Sequence, residues 1–224
     1  NIQAAAINAI KEGHHGYTPS SGILELREAI ALYFFKTRGV EIHVDDIVVG
    51  SGAKPFIMYA ILSTTDFGQE DEVIYPNPGF PIYESQIRAM GAIPVPLHLF
   101  EERDFSIDPN YLESKINNKT KLIIINSPHN PTGGVVSKED MDSIVSILRK
   151  HPKVWVYADE IYSQICFDRE FVSLSNYPDI KERIIFSDGA SKNWSMTGWR
   201  IGFAVNKKLS SVFTKLVANT ESCA

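Results

Sequence analysis

The chain has 224 residues, of which 44% are hydrophobic and 22% are charged, and its formal net charge is −5. These proportions are ordinary for a globular protein and exclude disorder of the whole chain. The mild acidity argues against nucleic acid as the main partner. No apolar run reaches the roughly 18 residues that a membrane-spanning helix needs, so a membrane is not an expected partner either.

The cysteines and histidines indicate in which compartment the protein works and whether it binds a metal ion. The two cysteines, Cys166 and Cys223, fit a reducing compartment better than a disulfide-built secreted domain. His14 and His15 have no third ligand at a usable spacing, so no metal site is predicted. We therefore expect a cytoplasmic protein without a bound metal.

Short β-branched runs alternate with longer amphipathic runs along the chain. The pattern predicts helices over residues 23–38, 54–63 and 137–149, another ending near residues 90–91, and a last one from about residue 208. Strands are predicted over residues 47–49, 72–75, 92–97, 121–125, 154–157, 183–186 and 201–205. The two prolines within 92–97 favour a sheet edge. This order predicts one three-layer α/β/α domain of the α/β class, with a mostly parallel mixed sheet.

Loop residues suited to ligand binding follow the predicted strands at their carboxyl ends, where ligands of open α/β sheets bind. Such residues include Ser51, Gly52, Ala53, Lys54, Phe80 with its Pro/Gly turn, Asn126, Asn130, Asp159, Ser187 and, just downstream, Lys192. Because these strand ends meet along one edge of the sheet, we expect their side chains to line one pocket.

Each of these features also has a plainer interpretation. The turn of residues 51–53 could bind an anion at a helix start, or be an ordinary tight turn. Asp159 ends a buried strand, so it either faces a cation such as a protonated ring nitrogen or caps a helix. Lys192 could form a Schiff base with a carbonyl, or lie solvated on the surface. Arg200 could grip a phosphate or carboxylate, or pair with an acidic residue in the core.

The run GASKNWSMTGWRIG, residues 189–202, resembles the lysine-attachment signature of the class I and II aminotransferases. These are pyridoxal 5′-phosphate (PLP) enzymes of fold type I, with the aspartate aminotransferase fold. Supporting segments stand in the family's order: Tyr17 with Gly22 and Leu26-Arg27, GSGAK at 50–54, YPNPGF at 75–80, NSPHNPTG at 126–133 and DEIY at 159–162. The resemblance covers essentially the whole chain.

The resemblance implies a role for each matching residue around the cofactor ring. Lys192 matches the lysine that bonds covalently to PLP as a Schiff base, and Asp159 matches the carboxylate at the pyridine nitrogen. Tyr162 and Asn130 match the groups that bond the phenolic oxygen of the ring. Phe80 stands where the family stacks an aromatic side chain on the cofactor.

The resemblance also implies how the phosphate is held. The expected phosphate-binding residues are Ser51, Gly52, Ala53, Lys54, Ser191 and Arg200. Many relatives carry a phosphate-binding serine where Gly189 stands here, so Ser191 or Ser187 is expected to replace it. Tyr17 resembles the tyrosine that reaches the phosphate of the partner subunit, which implies a homodimer with shared active sites.

The resemblance finally implies an activity and a domain. Residues 1–224 match the PLP-binding large domain, truncated at both ends, without the N-terminal arm or the C-terminal small domain that holds the α-carboxylate-binding arginine. The expected reaction moves the α-amino group of an amino acid, with aspartate or an aromatic amino acid favoured, to a 2-oxo acid. Two alternatives are a PLP-dependent carbon–sulfur lyase and a non-catalytic PLP-sensing domain of a transcription regulator.

Overall fold

The computed structural model describes residues 2–224 and contains one seven-stranded sheet. Its strands are β1 (Ile47–Ser51), β2 (Glu72–Asn77), β3 (Ile93–His98), β4 (Thr120–Asn126), β5 (Trp155–Asp159), β6 (Ile184–Gly189) and β7 (Ile201–Val205). Their order across the sheet is β1-β7-β6-β5-β4-β2-β3. Strand β7 runs antiparallel to both of its neighbours, and the other neighbouring pairs are parallel. The predicted mostly parallel mixed sheet is confirmed, with β3 at the edge.

Eight α-helices connect or flank these strands in the described residues. They are α1 (Ile2–Lys11), α2 (Leu24–Arg38), α3 (Lys54–Thr64), α4 (Ile82–Ala89), α5 (Pro109–Lys115), α6 (Lys138–Lys150), α7 (Ala190–Asn193) and α8 (Ser210–Thr220). Helix α2 ends at Gly39, whose φ of 68° is the left-handed cap that the sequence predicts. The pattern missed α1, which buries no residue, and the short helices α5 and α7.

Helices cover both faces of the sheet, because the strands alternate their side chains between two apolar clusters. On one face, Phe34 of α2 and Ile144 of α6 pack with Phe186 of β6. On the other face, Phe56 of α3 packs in a cluster that includes Ile185 of β6. The fold is therefore the predicted three-layer α/β/α arrangement.

Within residues 2–224 there is neither a membrane-spanning helix nor a metal-holding group of side chains. None of the helices there is both long enough and apolar enough to cross a bilayer. Within the same residues, no three His, Cys, Asp or Glu side chains form a group that could hold a metal ion.

Candidate active site

A cavity of about 450 Å³ opens at the carboxyl ends of the central parallel strands. Its lining residues are Ala53, Lys54, Ile57, Phe80, Tyr83, Asn126, Asn130, Asp159, Ile161, Tyr162, Ser191, Lys192, Thr197 and Arg200. The volume is typical of a small-molecule or cofactor site. The family resemblance gives twelve residues a role at the cofactor. Nine of them line this cavity, whereas Ser51, Gly52 and Tyr17 do not.

The ends of β4 and β5 place an amide beside a carboxylate. Asn126 and Asp159 are register partners in the parallel pair. The Asn126 Nδ2 donates to the Asp159 carbonyl oxygen at 3.0 Å, and the Asn126 Oδ1 accepts from the Asn130 N–H at 2.8 Å. Asn126 thus fixes both the strand end and the following loop.

The Asp159 carboxylate is buried without a cationic partner. Asp159 is only 7% exposed. The Tyr83 hydroxyl donates to Oδ2 at 2.6 Å, and the Ile161 N–H lies 3.4 Å from Oδ1. None of the ion pairs among residues 2–224 includes Asp159. Burial therefore raises the pKa of Asp159 to about 6, although the two hydrogen bonds favour the charged form.

An amine, a phenol and an amide lie together on another wall of the cavity. The Lys192 Nζ is 5.8 Å from the centre of the Tyr162 ring. The Asn130 Nδ2 donates to the Tyr162 hydroxyl at 3.3 Å. Burial, and then the nearby Asp159 charge, raise the pKa of Tyr162, so its hydroxyl stays protonated and can donate at neutral pH.

Positive groups gather where α3 begins. Lys54 is the first residue of α3, and Ala53 before it provides no side-chain cap. Pro55 has no N–H and the Phe56 N–H donates to the Ala53 carbonyl at 3.2 Å, so the Lys54 N–H is the one left open to an anion among the first three helical residues. The Arg200 guanidinium donates to the Ser51 carbonyl at 2.9 Å and to the Thr197 carbonyl at 2.8 Å. These contacts hold a fixed cation beside the helix start.

Ser51 and Gly52 support this end of the cavity from behind. The Ser51 N–H donates to the Glu221 carboxylate at 2.6 Å, so it is engaged away from the cavity. Gly52 has a φ of +91°, and a Cβ there would lie 2.2 Å from the Arg200 Nη2. Glycine is required at residue 52 because only its bare backbone lets the guanidinium approach.

The glycine at residue 189 has a packing reason. Gly189 is paired with Gly202 of β7, and a Cβ at 189 would lie 2.9 Å from the Gly202 Cα. A serine therefore does not fit at this position without a backbone shift. Of the two expected replacements, Ser191 lines the cavity, whereas Ser187 is fully buried and does not.

Comparison with known proteins identifies the family. The sequence profile described as aminotransferase class I and II matches residues 1–221. The chain belongs to this family. A probable aspartate/prephenate aminotransferase of Rickettsia felis is 40% identical over 210 residues, which make up 93% of this chain and 51% of that protein.

Solved aminotransferases share the fold. The aspartate aminotransferase of Rhizobium meliloti has a TM-score of 0.95 at 32% identity, covering 99% of this chain and 56% of that one. The aromatic aminotransferase of Pyrococcus horikoshii OT3 also has a TM-score of 0.95 at 32% identity, covering 99% of this chain and 60% of that one. The chain spans about half the length of the curated relatives it matches.

Class I and II aminotransferases depend on PLP, and the cavity fits this cofactor. PLP carries an aldehyde, a ring nitrogen that can be protonated and a phosphate dianion. The cavity offers the Lys192 amine for the aldehyde and the uncompensated Asp159 carboxylate for the nitrogen. Lys54 and Arg200 lie beside the open start of α3, a suitable site for the phosphate.

Two residues that line the cavity have no role assigned from the sequence motifs. Tyr83 contacts Asp159 from α4, and Thr197 lines the wall near Arg200. Tyr83 lies three residues after Phe80, and their ring centres are 5.7 Å apart, edge to face. The three-residue spacing at the start of a helix could have indicated that Tyr83 lies at the site with Phe80, because it puts both rings on the same side of the turn.

Tyr83→Phe is expected to raise the pKa of Asp159 by about one unit or more and to lower the turnover of PLP-loaded protein by about tenfold. The lost hydrogen bond stabilises the charged carboxylate, and such bonds contribute about 1.5–3 kcal/mol. The measurements are kcat and the pH dependence of unfolding of the PLP-free protein.

Tyr75→Phe is the matched control for this variant. It removes a tyrosine–carboxylate hydrogen bond of 2.9 Å, to Glu84, in which neither residue lines the cavity. Equal effects of the two variants on kcat and on the unfolding profile would contradict a specific link between Tyr83 and Asp159.

Proposed function

We propose that the protein is a PLP-dependent aminotransferase that moves the α-amino group of an amino acid to a 2-oxo acid, with Lys192 covalently attached to the cofactor. In this proposal residues 1–224 carry the cofactor-binding large domain. The observation that supports it best is the pairing, in one cavity, of the Lys192 amine with a buried carboxylate, Asp159, that has no cation beside it.

Asp159 and Lys192 divide the proton chemistry. When bound, PLP supplies an electron-withdrawing ring that accepts the electron pair left when an amino acid loses its Cα proton. The negative charge of Asp159 holds a proton on the ring nitrogen and so keeps the ring cationic. The free Lys192 amine would take the Cα proton of the amino acid on its Nζ, and its flexible side chain would let it return that proton later in the reaction.

The remaining lining residues orient the cofactor and exclude water. The protonated Tyr162 hydroxyl, held by Asn130, donates to the phenolic oxygen of the ring. Phe80 lines the cavity, packs edge to face on Tyr83 and would stack on the ring. Together these residues would hold the ring in a fixed orientation, which favours reaction with the Lys192 amine.

The proposed substrates are an acidic or aromatic amino acid and a 2-oxo acid. Support comes from the similar proteins, which include enzymes named as aspartate, aspartate/prephenate and aromatic aminotransferases. The proposed compartment is the cytoplasm, and both Cys166 and Cys223 are free thiols, as a reducing compartment favours.

The proposed assembly is a homodimer in which Tyr17 contacts the phosphate of the partner's cofactor. Tyr17 is 92% exposed and does not line the cavity of its own chain. The preceding helix α1 buries no residue and exposes Ile2, Ile7 and Ile10. A second copy would cover this apolar surface while receiving Tyr17.

The test is a panel of amino donors given to the full-length, PLP-loaded protein with 2-oxoglutarate as acceptor. We expect glutamate formation with aspartate or an aromatic donor, and without acceptor a stoichiometric loss of the visible PLP absorbance. Release of pyruvate and sulfur compounds from cystathionine without amino transfer would instead establish a lyase. PLP binding with no transfer from any donor would point to a sensor domain.

A further inference from the structure

A buried charged cluster lies on the sheet face opposite to the cavity. The Arg38 side chain, at the end of α2, is fully buried. Its Nε donates to the Glu160 Oε2 at 2.7 Å and its Nη2 to the Asp188 Oδ2 at 2.9 Å. The guanidinium also packs 4.2 Å from the centre of the Phe34 ring. Asp188 lies two residues after Phe186 on β6, and both therefore face the α2 side of the sheet.

Stability alone is a poor explanation for this cluster. Burying charges is costly, and a buried ion pair is often no more stable than a well-packed apolar group. One guanidinium here faces two carboxylates, and burial raises the pKa of Asp188 to about 6 despite the Arg38 charge. A cluster that costs free energy and yet links several elements is better explained by the geometry that it fixes.

The first connection runs from the cluster to the helical turn that carries Lys192. The Tyr33 hydroxyl donates to the Asp188 Oδ2 at 3.0 Å and accepts from the Asn193 Nδ2 at 3.1 Å. Asn193 is the residue after Lys192. The Asp188 Oδ1 also accepts the Gly189 N–H at 2.7 Å, at the start of α7. The Asn193 Nδ2 also lies 3.5 Å from the Asp188 Oδ1. Helix α7 has four residues and buries none of them, so these contacts with Tyr33 and Asp188 help to hold it on the fold.

The second connection runs from the cluster to the strand end that carries Asp159. Glu160 follows Asp159 directly in the chain, and its two carboxylate oxygens are held by Arg38 and by the Ser173 hydroxyl, the latter at 2.7 Å. Fixing the Glu160 side chain fixes the backbone on which Asp159 is mounted. Arg38 thus bridges the segments that carry Asp159 and Lys192, from behind the sheet.

We propose that Tyr33, Arg38, Glu160 and Asp188 form a positioning cluster that sets where the Lys192 amine lies relative to the Asp159 carboxylate. The inference rests on the proposed function, because Lys192 and Asp159 are its reacting groups. None of these four residues lines the cavity. It acts by holding α7 through Asn193 and by holding the end of β5 through Glu160.

The test weakens the link between Asp188 and α7 while leaving every buried charge paired. Tyr33→Phe deletes the bridging hydroxyl, and Asn193→Ala deletes the donor on α7, whereas the Arg38 bonds to Glu160 and Asp188 remain in both variants. Tyr177→Phe is the matched control, since it removes a 2.6 Å bond to the surface carboxylate of Asp142. The full-length protein is loaded with PLP in each case.

Misplacement of the Lys192 amine is expected to lower kcat by roughly 10-fold to 100-fold in both variants, with KM changed less than threefold. The midpoint of the pH titration of the visible PLP absorbance is also expected to move, since it reports the surroundings of the covalently held lysine nitrogen. Tyr177→Phe should match wild type in both measurements.

Two results would overturn the positioning role. One is wild-type kcat and absorbance midpoint in both variants, and the other is a change confined to thermal stability or to KM. The proposed function is judged separately, from the activity of the wild-type protein. If wild type transfers no amino group, the absorbance midpoints still report whether the cluster positions Lys192.

Discussion

Lys192→Ala is expected to abolish turnover, with a loss of at least about 10,000-fold, and to remove the visible absorbance of covalently attached PLP. The variant should fold normally, because Lys192 is exposed and α7 contributes no buried residue to the core. The measurements are kcat, the absorbance spectrum after PLP addition, and mass spectrometry after borohydride reduction to locate the modified residue.

Lys54 makes this prediction sharp, because it is the second lysine that lines the cavity. Its Nζ lies 5.7 Å from the centre of the Phe80 ring, at the phosphate-binding end. Lys54→Ala should therefore bind PLP more weakly yet keep the covalent link at Lys192. Lys215→Ala, on the exposed side of α8, should behave as wild type. Modification of Lys54 in place of Lys192 would contradict the assignment.

The fold could be predicted from the sequence because its elements are locally encoded. The periodicity of apolar residues and the β-branched runs predicted all seven strands, and Gly39 marked the end of α2. Helix α1 was missed because it buries no residue, so its pattern is not constrained by packing. Helix α5 begins at the Asp108 cap with a proline next to it, a signal that was present in the sequence but spans only seven residues.

The candidate site was predictable where residues follow strand ends and harder to predict where contacts cross the fold. Asp159 and Lys192 are found by their place after β5 and β6. The Arg38 cluster joins residues 122 and 150 positions apart, so a helical pattern gives no hint of it. Ser51 is predicted to bind the phosphate but does not line the cavity. Its N–H contacts Glu221, a tertiary contact across 170 positions that the sequence pattern does not indicate.

Asp159→Asn is expected to lower turnover by about 1,000-fold or more while PLP still binds weakly. Asparagine has nearly the same shape and can keep the Tyr83 contact, but it carries no charge to hold a proton on the ring nitrogen. Removing one preorganised electrostatic contact to a reacting system typically costs 100-fold to about 1,000-fold in rate. The measurement is kcat for the best amino donor, together with PLP affinity by absorbance titration.

The same variant should change the pH dependence of unfolding in the PLP-free protein. Burial raises the pKa of Asp159 to about 6, above its ordinary value of 3.8. Well below pH 3.8 the carboxyl is neutral whether folded or unfolded, and above about pH 6 it must be buried as an anion. The folded state therefore loses about 3 kcal/mol of stability from this group as pH rises through that window.

Asp159→Asn removes that loss, so its free energy of unfolding should gain about 3 kcal/mol relative to wild type between pH 4 and pH 7. Asp188, whose pKa is also about 6, is present in both proteins and cancels from the difference. PLP should stabilise wild type more than the variant at neutral pH, because the cationic ring nitrogen compensates the buried charge. Parallel unfolding profiles for the two proteins would mean that Asp159 is already compensated by another group, and the cavity would then lack its reason to hold a cation.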